Sequence, residues 1–445
     1  MMEKIDYPQF VTEIPGPRAR QILAQDDKYI SPSYTRSYPL VIEKGEGVVV
    51  TDVDGNRFLD FTSGIAVCST GHSHPTVVEA IRRQAGKFLH MSGTDFYYEA
   101  QSKLAEMICR IAGFKEELRV FYGNSGAEAI EAALKLVRYH SRRPLVLSFM
   151  GAFHGRTMGA LSLSASKMVH EKGFAPLVPG VTHVPYGYCY RCPYNLKYPE
   201  CDIHCVNWIK DDLFKRVIPP EEVAAIFVEP IQGEGGYVVP PPEFHKRLYN
   251  LCQEYGILYV ADEIQSGMGR TGKMFAFQNF GVDPDVFTLA KGIASGMPLG
   301  AMVAKKEIMN WGPGSHASTF GGNPVSCEAA IATIDLIENG LMQNAARMGA
   351  YIMEQLKALQ KSHRLIGDIR GMGLMIGIEL VTDRKKKTKA IEERNRAVQL
   401  AFDKGLLLLG CGENAIRLIP ALVVSRPEID KGLSIIDEVL TELEK

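Results

Sequence analysis

Three polar side chains that suit carbonyl chemistry follow two mainly apolar stretches. Residues 257–260 (Ile-Leu-Tyr-Val) are typical of a buried strand, and Asp262 and Gln265 come just after them. A second stretch, residues 285–290, leads directly to Lys291. Because ligands of open parallel α/β sheets bind beyond the carboxyl ends of the strands, we expect these side chains to meet there. Pyridoxal phosphate (PLP) needs such a set, with a lysine for the imine and an acid for the ring nitrogen.

Burial decides how Asp262 and Lys291 can act. A carboxylate at the end of an apolar strand is costly to bury unless it is paired, and a protonated ring nitrogen is a suitable partner. Backbone amides are the alternative partner for Asp262. A lysine in the same setting is desolvated, which lowers its pKa toward nucleophilic use. Either residue alone is a weak signal, but their joint spacing favours a cofactor site.

Residues 123–127 (Gly-Asn-Ser-Gly-Ala) join a predicted strand to a predicted helix. A helix N-terminus offers free N–H groups and a positive dipole, which suit a phosphate. Ser125 adds a hydroxyl donor, and the small residues Gly126 and Ala127 let the backbone approach the ligand. The alternative is that Ser125 serves only as a helix cap.

Two further loops carry candidate binding residues. Phe153 is expected either to stack on a planar ring or to pack in the core. Arg156 suits a bidentate contact with a substrate carboxylate, and an ion pair between loops is the alternative. Glu229 and Glu234 stand in a Gly-rich loop after a predicted strand, where neither acid by itself would indicate a functional site.

Composition limits the class of protein. The chain has 445 residues, 46% hydrophobic and 23% charged, which predicts one large and one smaller globular domain. A net charge of -1 gives no electrostatic footprint for nucleic acid or an anionic membrane surface. No apolar run approaches the roughly 18 residues of a membrane helix. The polar residues 1–9 do not resemble a secretory signal, so we expect a cytoplasmic protein.

Four of the nine cysteines are close in sequence. Cys189, Cys192, Cys201 and Cys205 lie in one loop-like segment, and their spacing admits a zinc or iron–sulfur site. Disulfides and free thiols are the alternatives, since disulfides are unusual in the cytoplasm of mesophiles. We expect a structural insertion and no metal.

Periodicity predicts alternating strands and helices in the first three quarters of the chain. Predicted strands are 48–52, 57–61, 120–122, 145–149, 225–228, 257–260 and 286–289, and predicted helices are 16–30, 97–111, 124–137 and 243–255. Repeated βα units indicate a mainly parallel sheet covered by helices. Beyond residue 325, helices 324–338, 342–359 and 427–443 and strand 375–380 indicate an α+β region. Ser425 and Glu428 have the spacing of a capping box.

A set of motifs spans nearly the whole chain, from residues 52–56 to Arg417. They are 124–129 (Asn-Ser-Gly-Ala-Glu-Ala), 153–157 (Phe-His-Gly-Arg-Thr), 229–235 (Glu-Pro-Ile-Gln-Gly-Glu-Gly), 262–272 (Asp-Glu-Ile-Gln-Ser-Gly-Met-Gly-Arg-Thr-Gly) and 318–324 (Ser-Thr-Phe-Gly-Gly-Asn-Pro). Together they resemble the class III (omega) aminotransferases of PLP-dependent fold type I. The resemblance implies an α/β fold, with a mainly parallel, seven-stranded central sheet and helices on both faces. It also implies a smaller α+β domain.

The domain boundaries that we expect follow from this fold. Residues 1–75 are an N-terminal segment that contributes to the small domain, 76–325 are the large PLP-binding domain, and 326–445 are the C-terminal small domain. Two departures from the family pattern stand out: the insertion at 188–205, and Phe153 where tyrosine is common. Neither removes a catalytic group.

The resemblance also implies roles at the cofactor. Lys291 would form the Schiff base, and Asp262 would face the pyridine nitrogen. Gln265 would bind the ring hydroxyl, and Phe153 would cover the ring. The phosphate would be held by Ser125, Gly126 and Ala127, and by Thr319 of the other subunit. A homodimer, or a higher homo-oligomer, is therefore expected.

Four positions bear on the substrate. In 4-aminobutyrate aminotransferases, the arginine matching Arg156 binds a distal carboxylate, and the arginine matching Arg417 binds the α-carboxylate of glutamate or 2-oxoglutarate. The glutamate matching Glu234 masks that second arginine when the other substrate is bound, and Ile65 matches an apolar wall. We therefore predict transamination of an ω-amino acid, most of all 4-aminobutyrate, with 2-oxoglutarate.

Three alternatives stay open at this point. One is an amino-acid racemase or epimerase, because some members of the family return the proton to the opposite face. Another is an ornithine or acetylornithine aminotransferase. The third is a non-catalytic module held by metal at the cysteines, which the pairing of Lys291 with Asp262 disfavours.

Overall fold

The computed structural model describes residues 7–445. Its helices are α1 (Pro17–Tyr29), α2 (Ser63–Ala66), α3 (Pro75–Ala85), α4 (Glu99–Ala112), α5 (Gly126–Ser141), α6 (Met158–Leu163), α7 (His204–Trp208), α8 (Phe214–Arg216), α9 (Phe244–Tyr255), α10 (Pro324–Leu336), α11 (Met342–Ser362), α12 (Ile391–Asp403) and α13 (Arg426–Leu443). Its strands are β1 (Ile42–Glu46), β2 (Val49–Asp52), β3 (Arg57–Asp60), β4 (Leu118–Gly123), β5 (Leu145–Phe149), β6 (Val181–Val184), β7 (Val223–Val228), β8 (Leu258–Asp262), β9 (Val286–Leu289), β10 (Gly300–Lys305), β11 (Ile366–Met372), β12 (Met375–Asp383), β13 (Thr388–Lys389), β14 (Leu406–Leu407), β15 (Leu409–Cys411) and β16 (Ala415–Leu418).

Seven strands form the central sheet in the order β4-β10-β9-β8-β7-β5-β6. Neighbouring strands from β9 to β6 are parallel, and β10 is antiparallel to both β4 and β9. The prediction of a mainly parallel, seven-stranded sheet is confirmed. Its parallel strands end at one edge, which is where the sequence predicts the cofactor site.

Helices cover both faces of this sheet. Every residue of β7, β9 and β10 is buried. Along β7, Ile226 and Val228 pack into one apolar cluster and Phe227 into another, because successive side chains of a strand point to opposite faces. Strands buried on both faces read as continuous apolar runs, which is why the sequence shows them clearly.

Two smaller sheets join the ends of the chain. The order β1-β2-β3-β14 brings 42–60 beside 406–407, and the order β11-β12-β16-β15 is antiparallel. The N-terminal strands therefore pair with a strand from the far end of the sequence. The division of the chain at residues 75 and 325 stays a prediction.

Several predicted elements have the predicted bounds, and others shift. Strands β5 and β9 lie where the apolar runs place them, and Ser425 and Glu428 form the capping box of α13. Strand β8 extends two residues further than predicted, so Asp262 is its last residue and pairs with Thr288 of β9. Hydrogen bonding across the ladder, which the sequence pattern does not show, carries the strand past its apolar run.

Candidate active site

Asp262 is nearly inaccessible, with 4% of its surface exposed, and has three hydrogen-bond partners. Its Oδ1 accepts from the backbone N–H of Ile264 at 3.0 Å and from Thr288 Oγ1 at 3.2 Å. Its Oδ2 lies 2.6 Å from His154 Nδ1. The backbone amide that we considered as an alternative partner is present, together with a titratable one.

His154 is a functional candidate that sequence reasoning missed. It stands in a loop 108 positions from Asp262, and its side chain is fully enclosed. Burial acts to lower the pKa of His154, but the hydrogen bond and charge of Asp262 outweigh burial and raise the pKa. The imidazole of His154 therefore fixes the position of the Asp262 carboxylate by a hydrogen bond. The motif 153–157 contained this histidine, but nothing local indicated its partner.

Lys291 follows β9 with a left-handed backbone, at φ 46°. A non-glycine residue in this region is strained, and such strain concentrates at functional sites. The side chain lines a cavity in the protein, and burial lowers the pKa of Lys291, although the charges of Asp262 and Glu229 act in the opposite direction. A lowered pKa increases the fraction of neutral, nucleophilic amine.

The cavity has a volume of about 320 Å³ and a mainly apolar lining. Its lining includes Lys291, Phe153, His154, Ser125, Gly126, Ala127, Ile264 and Leu299. Side chains from the end of β9, the loop after β5 and the start of α5 thus meet in one place, as the sequence predicts.

The start of α5 is packed too tightly for larger residues. Ser125 is the N-cap, and its hydroxyl accepts from the N–H of Glu128 at 3.3 Å. A Cβ at Gly126 would lie 2.9 Å from Ile264 Cδ1, and one at Gly300 would lie 2.1 Å from the carbonyl oxygen of Ser125. Ser125 caps α5, and the small residues beside it leave the backbone N–H groups accessible to a ligand. The two interpretations of Ser125 are therefore compatible.

Gln265 has a partner that the sequence did not indicate. Its Oε1 accepts a hydrogen bond from the buried hydroxyl of Tyr237 at 2.6 Å. Gln265 is absent from the side chains that line the cavity. Its contact with a ring hydroxyl stays a prediction, and Tyr237 is the residue that orients its amide.

Thr319 is exposed and lies outside this cavity. Its neighbour Ser318 accepts from Asn124 Nδ2 at 3.2 Å, which ties the loop to the start of α5. Exposure of Thr319 is compatible with a contact to a second subunit. Phe153 lines the cavity and meets His170 edge-on at 5.4 Å between ring centroids.

Glu234 is paired with two cations. Its Oε2 lies 3.1 Å from Arg417 Nη1, and its Oε1 accepts from Lys167 Nζ. Burial acts to raise the pKa of Glu234, but Arg417 and Lys167 outweigh it and lower the pKa. Arg417 comes from β16, and its buried Nε has no hydrogen-bond partner among the described residues. The predicted proximity of Glu234 and Arg417 is present, and Lys167 was missed.

The other two predicted substrate residues are exposed. Arg156 lies at the surface of the loop that carries Phe153, and its charge helps to lower the pKa of His170. Ile65 is 41% exposed and stands in α2, where the backbone of 63–66 is left-handed. This left-handed turn was not predicted.

Glu229 is a further residue whose position only the structure shows. It is 6% exposed, and its carboxylate accepts from the N–H groups of Phe153 at 3.1 Å and Gly233 at 2.9 Å. Burial raises the pKa of Glu229 to about 7, and Asp262 adds to the effect, while His154 opposes it. Glu229 therefore ties the loop of Phe153 to the loop of Glu234.

These residues fit PLP. The partly covered Lys291 with its lowered pKa opens on a cavity of a size that suits a small ligand. The start of a helix of 16 residues supplies N–H groups for a phosphate. Asp262, held by His154 at 2.6 Å, is a carboxyl group of the type that suits a protonated ring nitrogen.

The cysteine segment carries no metal-holding arrangement in the part of the chain that is described. Within residues 7–445, no group of three or more His, Cys, Asp or Glu side chains could hold a metal ion. Cys189, Cys192, Cys201 and Cys205 line a cavity of about 20 Å³, and all are free thiols. None of the helices in residues 7–445 is both long enough and apolar enough to cross a bilayer.

Comparison with known proteins identifies one family. A family model described as aminotransferase class-III matches residues 29–440. A solved amine transaminase from an uncultivated Pseudomonas species, in its PLP-bound form, is 31% identical, covers 93% of this chain and 98% of its own, and superimposes with a TM-score of 0.87.

Relatives of similar identity have different names. An alanine/serine racemase of Pyrococcus horikoshii is 39% identical over 98% of this chain and 94% of its own length. An acetylornithine aminotransferase of Caldanaerobacter subterraneus subsp. tengcongensis is 40% identical over 95% and 100%. A 4-aminobutyrate aminotransferase of Mycobacterium leprae is 38% identical over 97% and 98%. Overall sequence identity to these relatives therefore does not indicate which substrate this chain uses.

Proposed function

The chain belongs to the class-III aminotransferase family and is a PLP-dependent enzyme, and from that premise we propose that it exchanges the amino group of an ω-amino acid with 2-oxoglutarate. 4-Aminobutyrate is the substrate that we propose first. The observation that carries the proposal is the pair of Glu234 with Arg417, at 3.1 Å. This pair can mask or expose a guanidinium according to whether the substrate has an α-carboxylate.

An ω-amino acid and an α-amino acid make opposite demands on one site. Glutamate brings an α-carboxylate that suits the guanidinium of Arg417 in bidentate geometry. 4-Aminobutyrate has no α-carboxylate, so an unmasked Arg417 would be a buried cation without a partner. Glu234 supplies that partner. Arg156 is exposed on the loop of Phe153, and we infer that it receives the distal carboxylate of either substrate.

The proton transfer is the part of the reaction that this chain performs. PLP, when bound, supplies the electron-accepting ring. The amine of Lys291 is the general base that takes the proton from the amine-bearing carbon and returns it elsewhere. Asp262 would face the ring nitrogen, and His154, whose Nδ1 lies 2.6 Å from Asp262 Oδ2, would hold that carboxylate in place.

We propose a homodimer as the working unit. Thr319 is exposed and does not line the cavity of its own chain, which suits a contact to the partner's phosphate site. Its neighbour Phe320 is exposed, and the segment 88–97, which contacts residues 320–323, exposes five more large apolar side chains: Phe88, Leu89, Met91, Phe96 and Tyr97. Such a patch is typical of an interface between subunits.

Racemisation is the second candidate, because the racemase of Pyrococcus horikoshii is among the relatives at 39% identity. The two reactions share Lys291 and Asp262 and differ in the face to which the proton returns. A racemase acting on neutral amino acids has less use for the set of Arg156, Glu234 and Arg417. This set therefore favours transamination.

A single-turnover experiment separates the two functions. The holoenzyme is incubated with L-glutamate alone, and 2-oxoglutarate and D-glutamate are measured against active sites. Transamination releases one equivalent of 2-oxoglutarate and then stops until an amino acceptor is added. D-Glutamate that grows beyond one equivalent without 2-oxoglutarate contradicts the proposal.

A panel of amino donors then tests the substrate. 4-Aminobutyrate, ornithine, acetylornithine, β-alanine and longer ω-amines are each paired with 2-oxoglutarate and with pyruvate. The highest kcat/KM is expected for 4-aminobutyrate with 2-oxoglutarate. A preference for acetylornithine would agree with transamination but would contradict the proposal that 4-aminobutyrate is the substrate.

A further inference from the structure

Lys167 is the second cation on Glu234, and the proposed function does not use it. Its ammonium contacts Oε1 of Glu234, while Arg417 contacts Oε2 of the same carboxylate. The Lys167 side chain is 38% exposed, whereas that of Arg417 is 7% exposed. One partner is thus at the surface on a flexible four-carbon stem, and the other is held inside the protein.

We propose that Lys167 is a positioning residue that keeps Glu234 paired when a substrate α-carboxylate takes its place on Arg417. The inference rests on the proposed function, since it concerns the same pairing of Glu234 with Arg417. Two states follow from it. In the masked state, which the structure shows, Glu234 bridges both cations. In the unmasked state, Glu234 leaves Arg417 and remains on Lys167.

The cost of unmasking is the reason for this role. The Glu234 side chain is only 16% exposed, so breaking its pair with Arg417 would leave a poorly hydrated carboxylate. Lys167 removes most of that cost, because its hydrogen bond is on the other carboxylate oxygen and need not break. Two cations oppose the burial that would raise the pKa of Glu234, and Lys167 alone can still do so after Arg417 is taken.

Other cations near Glu234 are less suited to the role. His170 acts on Glu234 only by its charge, and burial together with Arg156 lowers the pKa of this imidazole. Arg394 directs Nη2 to the carbonyl oxygen of Glu413 at 2.9 Å. Lys167 is the group that already holds the carboxylate by a hydrogen bond.

The test uses Lys167→Met, which keeps an unbranched side chain, one atom shorter, and removes the charge. Glutarate is the binding probe, because it has two carboxylates and no group that reacts. Its Kd is measured on the holoenzyme by calorimetry, and single-turnover rates are measured with L-glutamate and with 1-aminobutane. Lys167→Arg tests rescue. Lys210→Met is the matched control, since Lys210 pairs with Glu254 at an exposed site outside the active site.

We expect Lys167→Met to weaken glutarate binding about tenfold, since the released carboxylate loses a charged partner. The rate with L-glutamate at low concentration should fall by the same factor, and the rate with 1-aminobutane should fall much less. Lys167→Arg should restore glutarate binding, and Lys210→Met should leave it at the wild-type value. This pattern supports the proposal.

Two results would overturn the role of Lys167 alone: glutarate binding to Lys167→Met at wild-type strength, or an equal loss for L-glutamate and 1-aminobutane. Arg417→Gln distinguishes these from failure of the proposed function. Two other results would be wild-type protein that does not bind glutarate, or Arg417→Gln that binds it with the wild-type Kd. In either case the proposal that Glu234 covers a carboxylate-binding Arg417 is wrong, and Lys167 has no such role.

Discussion

The cofactor side and the substrate side of the site are built differently. Asp262 ends β8 and Lys291 follows β9, so both stand on adjacent strands of one buried sheet. Arg417 lies in a different sheet, and Ile65 follows a strand of a third. Glu234 and Lys167 come from loops, and Lys167 and Ile65 are partly exposed to solvent.

This difference indicates which part of the site can vary. Strand ends in a buried sheet are held by backbone hydrogen bonds on both sides, so they position the reacting groups closely. Loops that converge from separate sheets can change length and side chain without disturbing the core. Three relatives with three different names at 38% to 40% identity agree with a common cofactor side and a variable substrate side.

The largest effect is expected on the cofactor side. Lys291→Ala removes the proposed general base and should lower the single-turnover rate with any amino donor by about 10⁴-fold. The measurement is the rate with 4-aminobutyrate and with 1-aminobutane. An equal loss for both is expected, because the proton transfer is common to them. A variant that kept a tenth of the rate would place the base elsewhere.

His154→Leu tests whether the cofactor side depends on the residue that holds Asp262 by a hydrogen bond. We expect kcat to fall about 100-fold, since an orienting partner of a catalytic group typically has effects of this size. The fall should be equal for all donors. His245→Leu is the control, because His245 is equally buried but bonds Tyr259 and the carbonyl oxygen of Pro230. It should lower Tm and leave kcat of the folded enzyme unchanged; a similar loss of kcat in both variants would make the role of His154 purely structural.

Arg156→Ala tests the substrate side. It should weaken kcat/KM for 4-aminobutyrate by about tenfold and leave 1-aminobutane nearly unaffected, because only the first has a distal carboxylate. Steady-state kinetics with both donors measures this. Equal losses would mean that Arg156 does not bind that carboxylate.

The smallest effect on chemistry is expected at the base of the Ile65 turn. His72 Nε2 lies 2.8 Å from Asp60 Oδ2, and Asp60 also accepts from the N–H groups of Thr62 and Ser63. The hydrogen bond to Asp60 raises the pKa of His72 to about 10. His72→Asn should lower the free energy of unfolding by about 2 kcal/mol at pH 6, since a charged hydrogen bond is lost.

The stabilisation that His72 provides should decrease as the pH rises. A raised pKa means that the folded protein binds the proton more tightly than the unfolded chain, so the stabilisation is full below about 6.5 and is lost as pH rises through about 10. Denaturant unfolding of wild type and His72→Asn at several pH values should show two curves that converge at high pH. A constant difference would mean that His72 acts without its charge.

Much of the cofactor side was predictable. Strand β9 has its predicted bounds, and Ser125, Gly126, Ala127, Phe153 and Lys291 do line one cavity. Continuous apolar runs and Gly-containing turns mark the strands and their ends, and the topology of parallel sheets then brings the ends together. The roles of these residues stay predictions until they are measured.

The partners of the charged groups were not predictable in the same way. The bond of His154 to Asp262 joins positions 108 apart, and Tyr237 was not expected to hold Gln265. The left-handed turn at 63–66 was also missed, because only Gly64 in it has an intrinsic preference for positive φ. No local periodicity carries information about such contacts.

The amino-acid sequence by itself determined where the apolar strands lie and which acid, amine and small residues follow them, because apolar runs and turns are local properties of the chain. Only the tertiary structure decided that Asp262 faces His154 and that Glu234 lies between Arg417 and Lys167. The physical reason is that a buried charge is governed by the groups that surround it in space, and these come from distant parts of the chain.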